Sequence, residues 1–268
     1  MHCCLCRARN HEDRTLNRFE GASAVITGAG SGLGRDVAIA LAREGAARVV
    51  LIDVDATGLQ ETREQVGESG QSIVCDVSDP DQVSRAWNGM DLPDALDVLI
   101  TAAGTIGSGA DIEHCTPQEW DRIFAVNVRG TYLAIRQALP HLRKRRGCIV
   151  TFGSTAGLAG SLALGAYSAS KGAITMMTRS LALAHGAEGI RVNCVCPGSI
   201  DTPMLQATFD AAGDARAAER RKNLYLSRYP MERFGAAHEV TSVVLFLASR
   251  EASYLTGVAL PIDGGRLA

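Results

Sequence analysis

Tyr167 and Lys171, four positions apart in Tyr167-Ser168-Ala169-Ser170-Lys171, are the pair whose types and spacing most directly suggest chemistry. The stretch runs on into Gly172, Ala173, Ile174, Met176, Met177, Leu181 and Leu183, the apolar spacing of a long, largely buried helix. Four residues make about one helical turn, so phenol and ammonium share a face near its start. A free tyrosine has a pKa of about 10, too high for efficient proton transfer at neutral pH. An ammonium one turn away stabilises the phenolate and lowers that pKa. The pair is therefore a candidate general acid/base. The same spacing also suits an amphipathic tyrosine and a snorkelling lysine with no chemistry at all, so the surrounding elements must decide.

The first of those elements is glycine-rich. Ala22-Ser23-Ala24-Val25-Ile26-Thr27 reads as a buried strand and is followed at once by Gly28-Ala29-Gly30-Ser31-Gly32-Leu33-Gly34. Val37, Ala38, Ala40, Leu41 and Ala42 then mark a helix ending at Gly45, and the strand Arg48–Ile52 ends on Asp53. Strand, glycine turn, helix, strand and terminal acid make a βαβ unit that binds a nucleotide. Glycines let the backbone approach a pyrophosphate without Cβ atoms in the way, and the helix N-terminus offers it unpaired N–H groups. The spacing is Gly-x-x-x-Gly-x-Gly rather than the usual Gly-x-Gly-x-x-Gly, and no Gly-Lys-Ser/Thr follows to make a Walker loop. Asp53 stands nineteen residues past Gly34, where an acid accepts hydrogen bonds from both adenosine ribose hydroxyls and repels a 2′-phosphate. No Arg or Lys follows it immediately, so NAD is the expected cofactor.

The alternation continues to the end of the chain. Val54 to Gly67 reads as a helix, Gln71–Cys75 as a strand ending at Asp76-Val77, and Asp79-Pro80 as the start of the next helix. Asp76 is either a strand-end turn residue or a ligand to the adenine amino group. Asp97–Thr101 is a fourth strand, running into Ala102-Ala103-Gly104. Thr116-Pro117-Gln118-Glu119 is a capping box that opens one long helix toward Arg146. Asn127 lies within that helix among Ile123, Phe124, Val126 and Val128, a costly place for an amide whose hydrogen bonds are not met. Cys148–Phe152 is a fifth strand, which puts Ser154 at a carboxyl end, where open α/β sheets bind ligands. A sixth strand, Arg191–Cys196, ends in Pro197-Gly198, and Val258–Ile262 is the seventh. Residues 199–235 break the rhythm and suggest a substrate lid; its Arg216, Arg220, Arg221 and Lys222 are expected on a solvated helix face. The expected fold is α/β: one doubly wound, seven-stranded parallel sheet of Rossmann type over residues 18–268.

Composition excludes several classes. The chain has 268 residues, 46% of them hydrophobic, and a net charge of −2, which gives no general reason to bind nucleic acid or an anionic membrane. The basic run Arg143-Lys144-Arg145-Arg146 reads as a solvated helix end. No apolar run reaches the ~18 residues of a membrane span. Cys75, Cys148, Cys194 and Cys196 sit in apolar strands as small hydrophobes, Cys115 is more exposed, and a reducing cytoplasm is the expected location. The first seventeen residues lack the apolar core of a secretory signal and are expected to be a flexible extension. His2, Cys3, Cys4, Cys6 and His11 are too crowded for a closed tetrahedral site, so no metal is expected.

Taken together, Thr27-Gly28-x-x-x-Gly32-x-Gly34, Asp76-Val77, Asn127, Ser154, Tyr167-x-x-x-Lys171, Pro197-Gly198 and Asp263-Gly264-Gly265 resemble the short-chain dehydrogenase/reductase family, in its shorter single-domain branch. The resemblance covers essentially all of residues 19–268. It implies that Tyr167 exchanges a proton with the substrate oxygen and that Ser154 holds that oxygen. It implies further that Lys171 lowers the tyrosine pKa and binds the nicotinamide ribose, while Asn127 keeps a water in the relay to Lys171. Gly28, Ser31, Gly32, Leu33, Gly34, Asp53, Asp76, Val77, Ala103, Gly104, Pro197, Gly198, Ile200 and Thr202 would line the cofactor with Tyr167 and Lys171, Thr202 holding the carboxamide. One departure is visible: the family's Asn-Asn-Ala-Gly or Asn-Ala-Ala-Gly is here Thr101-Ala102-Ala103-Gly104, and the threonine hydroxyl is expected to replace the missing amide in part.

The implied activity is hydride transfer between NAD(H) and a secondary alcohol or ketone, in a homo-oligomer, either tetramer or dimer. Alternatives are a non-catalytic dinucleotide-binding regulator and a 3-oxoacyl-thioester reductase-like activity. The apolar Ala156, Leu158, Leu162 and Leu164 suggest a fairly apolar substrate.

Overall fold

The computed structural model describes residues 17–92, 95–161, 163–211 and 213–268. The N-terminal extension and its His/Cys group lie outside the described residues. Seven strands form one parallel sheet: β1 Ser23–Thr27, β2 Arg48–Asp53, β3 Gly70–Val74, β4 Val98–Thr101, β5 Cys148–Phe152, β6 Arg191–Pro197 and β7 Ala259–Ile262. Their order across the sheet is β3-β2-β1-β4-β5-β6-β7. The chain runs outward from β1 in one direction, then returns to place β4 on its other side. Thr27 pairs with Thr101 there, and the strands' following loops diverge. That divergence is the crevice in which open α/β sheets bind ligands.

The five central strands are buried on both faces, as a parallel sheet requires, while the edge strands β3 and β7 are only partly covered. Successive residues point to opposite sides: Ala24 and Ile26 of β1 join one core cluster and Val25 the other. The first cluster is covered by helices α1 Gly32–Arg43 and α2 Ala56–Val66 and by a late helix, Ala237–Ala248. The second is covered by α3 Pro80–Asn88 and by two further helices, Thr131–Arg145 and Gly165–His185. Asp79 caps α3 through Asp81 N at 2.9 Å and Gln82 N at 3.1 Å, as its Asp-Pro start implied.

The single helix expected from Thr116 to Arg146 is divided. It runs as α4 Pro117–Phe124, a π-helical segment Ala125–Gly130, and α5 Thr131–Arg145. The capping box is half formed. Thr116 Oγ1 accepts from Glu119 N at 3.2 Å, but the Glu119 carboxylate turns away to accept from Ser108 N. A short helix α6, Ala156–Ala159, follows β5 and precedes α7, Gly165–His185. Residues 199–235 hold two helices, α8 Pro203–Asp210 and α9 Ala215–Leu226, before α10, Ala237–Ala248. The basic run ends α5, with Arg143 paired to Glu188 at 2.7 Å and Arg145 to Asp97 at 4.0 Å. No helix among the described residues is long and apolar enough to cross a membrane.

Candidate active site

A cavity of about 440 Å³ opens at the carboxyl ends of the strands. On its β1 side the backbone does the shaping. Gly28 has φ +74°, and a Cβ there would lie 2.5 Å from Ala103 N. A Cβ on Gly34 would lie 2.0 Å from Gly28 O, so only glycine lets α1 seat against the turn. Ser31 precedes α1 without a side-chain capping bond, which leaves the opening N–H groups of the helix to the cavity. That is a fit for a pyrophosphate. Gly32, Leu33 and Gly34 line the same wall.

Asp53 ends β2 and also faces the cavity. Its Oδ2 accepts from Gly30 N at 2.9 Å and its Oδ1 from Asp55 N at 3.1 Å, so the loop fixes the carboxylate in place. The nearby Arg35 is committed elsewhere: to Thr62 Oγ1 at 2.9 Å, to Gly30 O, and to Glu61 at 2.8 Å. Asp76 lines the cavity but behaves as a turn residue. It accepts from Ser78 N at 2.9 Å and Ser78 Oγ at 2.6 Å, and pairs with Arg122 at 3.1 Å. Burial pushes its pKa up, but the Ser78 and Arg122 contacts outweigh that and hold it below the usual carboxylate value. Val77, Ala103, Gly104, Pro197, Gly198, Ile200 and Thr202 complete the lining expected for a cofactor.

The β4–β7 side is built from side chains. Asn127 is fully buried within the π-helical segment, behind the cavity rather than on its wall. Its Oδ1 accepts from Thr105 N at 2.8 Å, and its Nδ2 donates to Thr105 O at 2.9 Å and Ser170 Oγ at 3.0 Å. The amide thus meets backbone and side chain together. A Cβ on Gly104 would lie 3.4 Å from both Asn127 Oδ1 and Lys171 Nζ, so that glycine is where the two groups meet.

Ser154, Tyr167 and Lys171 share the cavity wall. Ser154 Oγ accepts from Ala156 N at 3.1 Å, and its hydroxyl favours the ionised Tyr167 phenol. Burial raises the Tyr167 pKa above its ordinary value, and the Ser154 hydroxyl only partly offsets it. The Lys171 ammonium donates to Phe152 O at 2.7 Å and stands 5.7 Å from the tyrosine ring centroid. In this arrangement the phenol pKa is raised on balance, not lowered as the Tyr-x-x-x-Lys spacing predicts. Burial instead depresses the lysine, to about 8, with Cys194 and Cys196 working the other way. Those two thiols lie 3.8 Å apart beneath Gly153; the hydrogen bond between them lowers Cys194 and raises Cys196.

Thr101 departs from expectation. Its hydroxyl is buried with no hydrogen-bond partner, so it does not replace the amide usually found there. Of the apolar residues after Ser154, Ala156 and Leu164 line the cavity and Leu158 does not, while Leu162 lies outside the described residues. The lid contributes Met204, Leu205, Thr208 and Tyr225. Arg216, Arg220 and Lys222 of its basic cluster are exposed as expected, whereas Arg221 is half-buried and bonded to Thr208 O at 2.8 Å. Arg122, Arg228 and Arg266 line the cavity and were not singled out by sequence reasoning. Arg266 alone had a usable signal, because it directly follows the turn that ends the seventh strand.

A family model described as enoyl-(acyl carrier protein) reductase matches residues 28–266. The chain is 38% identical to 2-(S)-hydroxypropyl-CoM dehydrogenase 3 of Xanthobacter autotrophicus, over 94% of this chain and 99% of that protein. It is 37% identical to dehydrogenase/reductase SDR family member 6 of Rattus norvegicus, over 93% and 99%. Among solved structures, a 3-ketoacyl-(acyl-carrier-protein) reductase from Brucella melitensis, complexed with NADH, superposes with a TM-score of 0.84 at 31% identity, covering 93% of this chain and all of that one.

Proposed function

Since the chain belongs to the short-chain dehydrogenase/reductase family, as an oxidoreductase of the alcohol/ketone pair that uses a nicotinamide dinucleotide, we propose that it prefers NAD and works through Tyr167. The observation that carries this reading is the convergence of Ser154, Tyr167 and buried Lys171 on one wall of the cavity that the glycine turn floors. The α1 N-terminus would hold the pyrophosphate, Asp53 the adenosine ribose, and Thr202 the carboxamide. Asp53 supports NAD, because its carboxylate would repel a 2′-phosphate, and the nearby Arg35 directs its Nε and Nη2 to Thr62, Gly30 O and Glu61.

Bound there, the dinucleotide supplies the hydride chemistry. Ser154 would orient the substrate oxygen and Tyr167 would give or take its proton. Lys171 would swing its donors toward the nicotinamide ribose and the phenol, reversing the rise that burial imposes on Tyr167. Asn127, fixed by Thr105 and Ser170, would hold the backbone around Gly104 and keep a water in line with Lys171. The exposed apolar residues Tyr132 on α5 and Met176 and Leu183 on α7 support a homo-oligomer, which sedimentation would measure. A reducing, cytoplasmic setting fits the five free cysteines among the described residues.

Spectrophotometric assay of NAD⁺ reduction over secondary alcohols, hydroxy acids and hydroxyacyl thioesters tests the reading. Turnover with NADH at least about tenfold more efficient than with NADPH is expected, and Asp53→Ser should erase most of that preference. A clear preference for NADPH would sink the cofactor assignment. Turnover confined to hydroxyacyl thioesters would favour the reductase-like alternative, to which the Brucella melitensis structure lends support.

A further inference from the structure

The charge in the cavity is divided between its ends. Its two carboxylates are Asp53, which ends β2, and Asp76, which follows β3 and is already paired with Arg122. The substrate end, around Ser154 and Tyr167, holds guanidinium groups and no carboxylate. Arg266 donates to Thr155 Oγ1 at 2.6 Å, which fixes it one residue from Ser154. Arg228 follows α9 and lies 5.2 Å from the Tyr225 ring centroid, its side chain held by that face. Both arginines are half-buried, both line the cavity, and no carboxylate among the described residues pairs with either. Stacking on an aromatic face leaves the edge donors of a guanidinium free, in a fork that matches a carboxylate or sulfonate.

A partly desolvated cation with no counterion is costly unless a ligand supplies the charge. The geometry points to a substrate that carries a compact anionic group, held by Arg228 and Arg266 while its alcohol or ketone carbon reaches Tyr167. This inference rests on the dehydrogenase reading for the reaction and adds the substrate's charge. It also revises the apolar substrate expected from the residues after Ser154: Leu164 and Met204 would contact the carbon chain, and the arginines its far end.

The test separates binding from turnover. Short hydroxy acids of about four to six carbons are titrated by calorimetry into the protein saturated with NADH, a combination that cannot react. Each acid is paired with its own amide, and hydroxyalkyl sulfonates form a second arm. At least one anion should bind about tenfold or more tightly than its neutral partner, as charge-assisted hydrogen bonds provide. R228Q and R266Q should each remove most of that ratio, raising KM for the anion more than they lower kcat, and R228K and R266K should keep part of it. Equal binding of every anion and its neutral partner overturns the inference. So does a ratio that survives both glutamine variants, or a loss of NADH affinity in them without loss of the ratio. Selective anion binding without hydride transfer would uphold the anion site and sink the dehydrogenase reading. Turnover of neutral alcohols with no anion preference would do the reverse.

Discussion

The two walls of the cavity are made of different material. The β1–β2 wall is backbone: a glycine turn, the open start of α1, and one carboxylate pinned by a loop N–H at 2.9 Å. The opposite wall is side chain: Ser154, Tyr167, Lys171, the lid residues, and two arginines with no carboxylate partner among the described residues. Backbone walls are specified by what is missing, since every Cβ excluded leaves a glycine to be read. Side-chain walls are specified by what arrives from distant segments, and residue type alone does not say which ones converge.

Tyr167→Phe breaks the second wall most directly. It should lower kcat by about 10²–10⁴-fold, the range for a lost general acid/base, with a much smaller loss of NADH affinity by fluorescence titration. A variant retaining full turnover would remove Tyr167 from the chemistry.

Gly34→Ala breaks the first wall. With a Cβ 2.0 Å from Gly28 O, α1 must move, and urea unfolding should show a loss of about 3 kcal/mol together with loss of NADH binding. Gly186→Ala is the control: a Cβ there meets nothing within 4 Å, and stability should hold or rise.

Lys171→Met sharpens the contrast through pH. The folded-state pKa of Lys171 is about 8 against an ordinary 10.5. Between those values the folded protein has released a proton that the unfolded chain keeps, so stability rises with pH. Wild type should therefore gain thermal stability relative to Lys171→Met as pH climbs through that window, and the gain should fade as pH falls below about 8. Parallel curves for the two proteins would show that the ammonium is not depressed.

The smallest effect is expected at Thr101→Val. Removing a buried hydroxyl that has no partner should leave stability unchanged or raise it by about 1 kcal/mol. A clear loss would mean that the hydroxyl is bonded in solution.

These differences also mark how far the sequence could be read. The seven strands, the glycine turn, Asp53 and the Tyr167–Lys171 spacing were legible because each is a local pattern with a local cause. The division of the Thr116–Arg146 helix was not, because periodicity over a window averages across one turn of altered winding. Neither was the direction of the Tyr167 pKa. It depends on burial and on Lys171 choosing Phe152 O, both set by how α7 packs against β5. Asp76 left two readings open, and its bonds to Ser78 and Arg122 favour the turn. Arg228 was hidden by a denser basic cluster a few residues earlier, most of which is exposed.

The π-helical winding over Ala125–Gly130 has a genetic consequence. A segment bonded from each residue to the fifth before it holds more chain per turn than an α-helix does. Deleting one residue there would let α4 and α5 fuse into a continuous α-helix with every hydrogen bond kept. The helix that follows would keep its phase, because the wide turn is what takes up the extra residue. A deletion that costs little helix and leaves α5 in phase would then remove the wide turn that carries Asn127, and with it the amide's place against Thr105 and Ser170, while substitutions across the same turn would keep the turn.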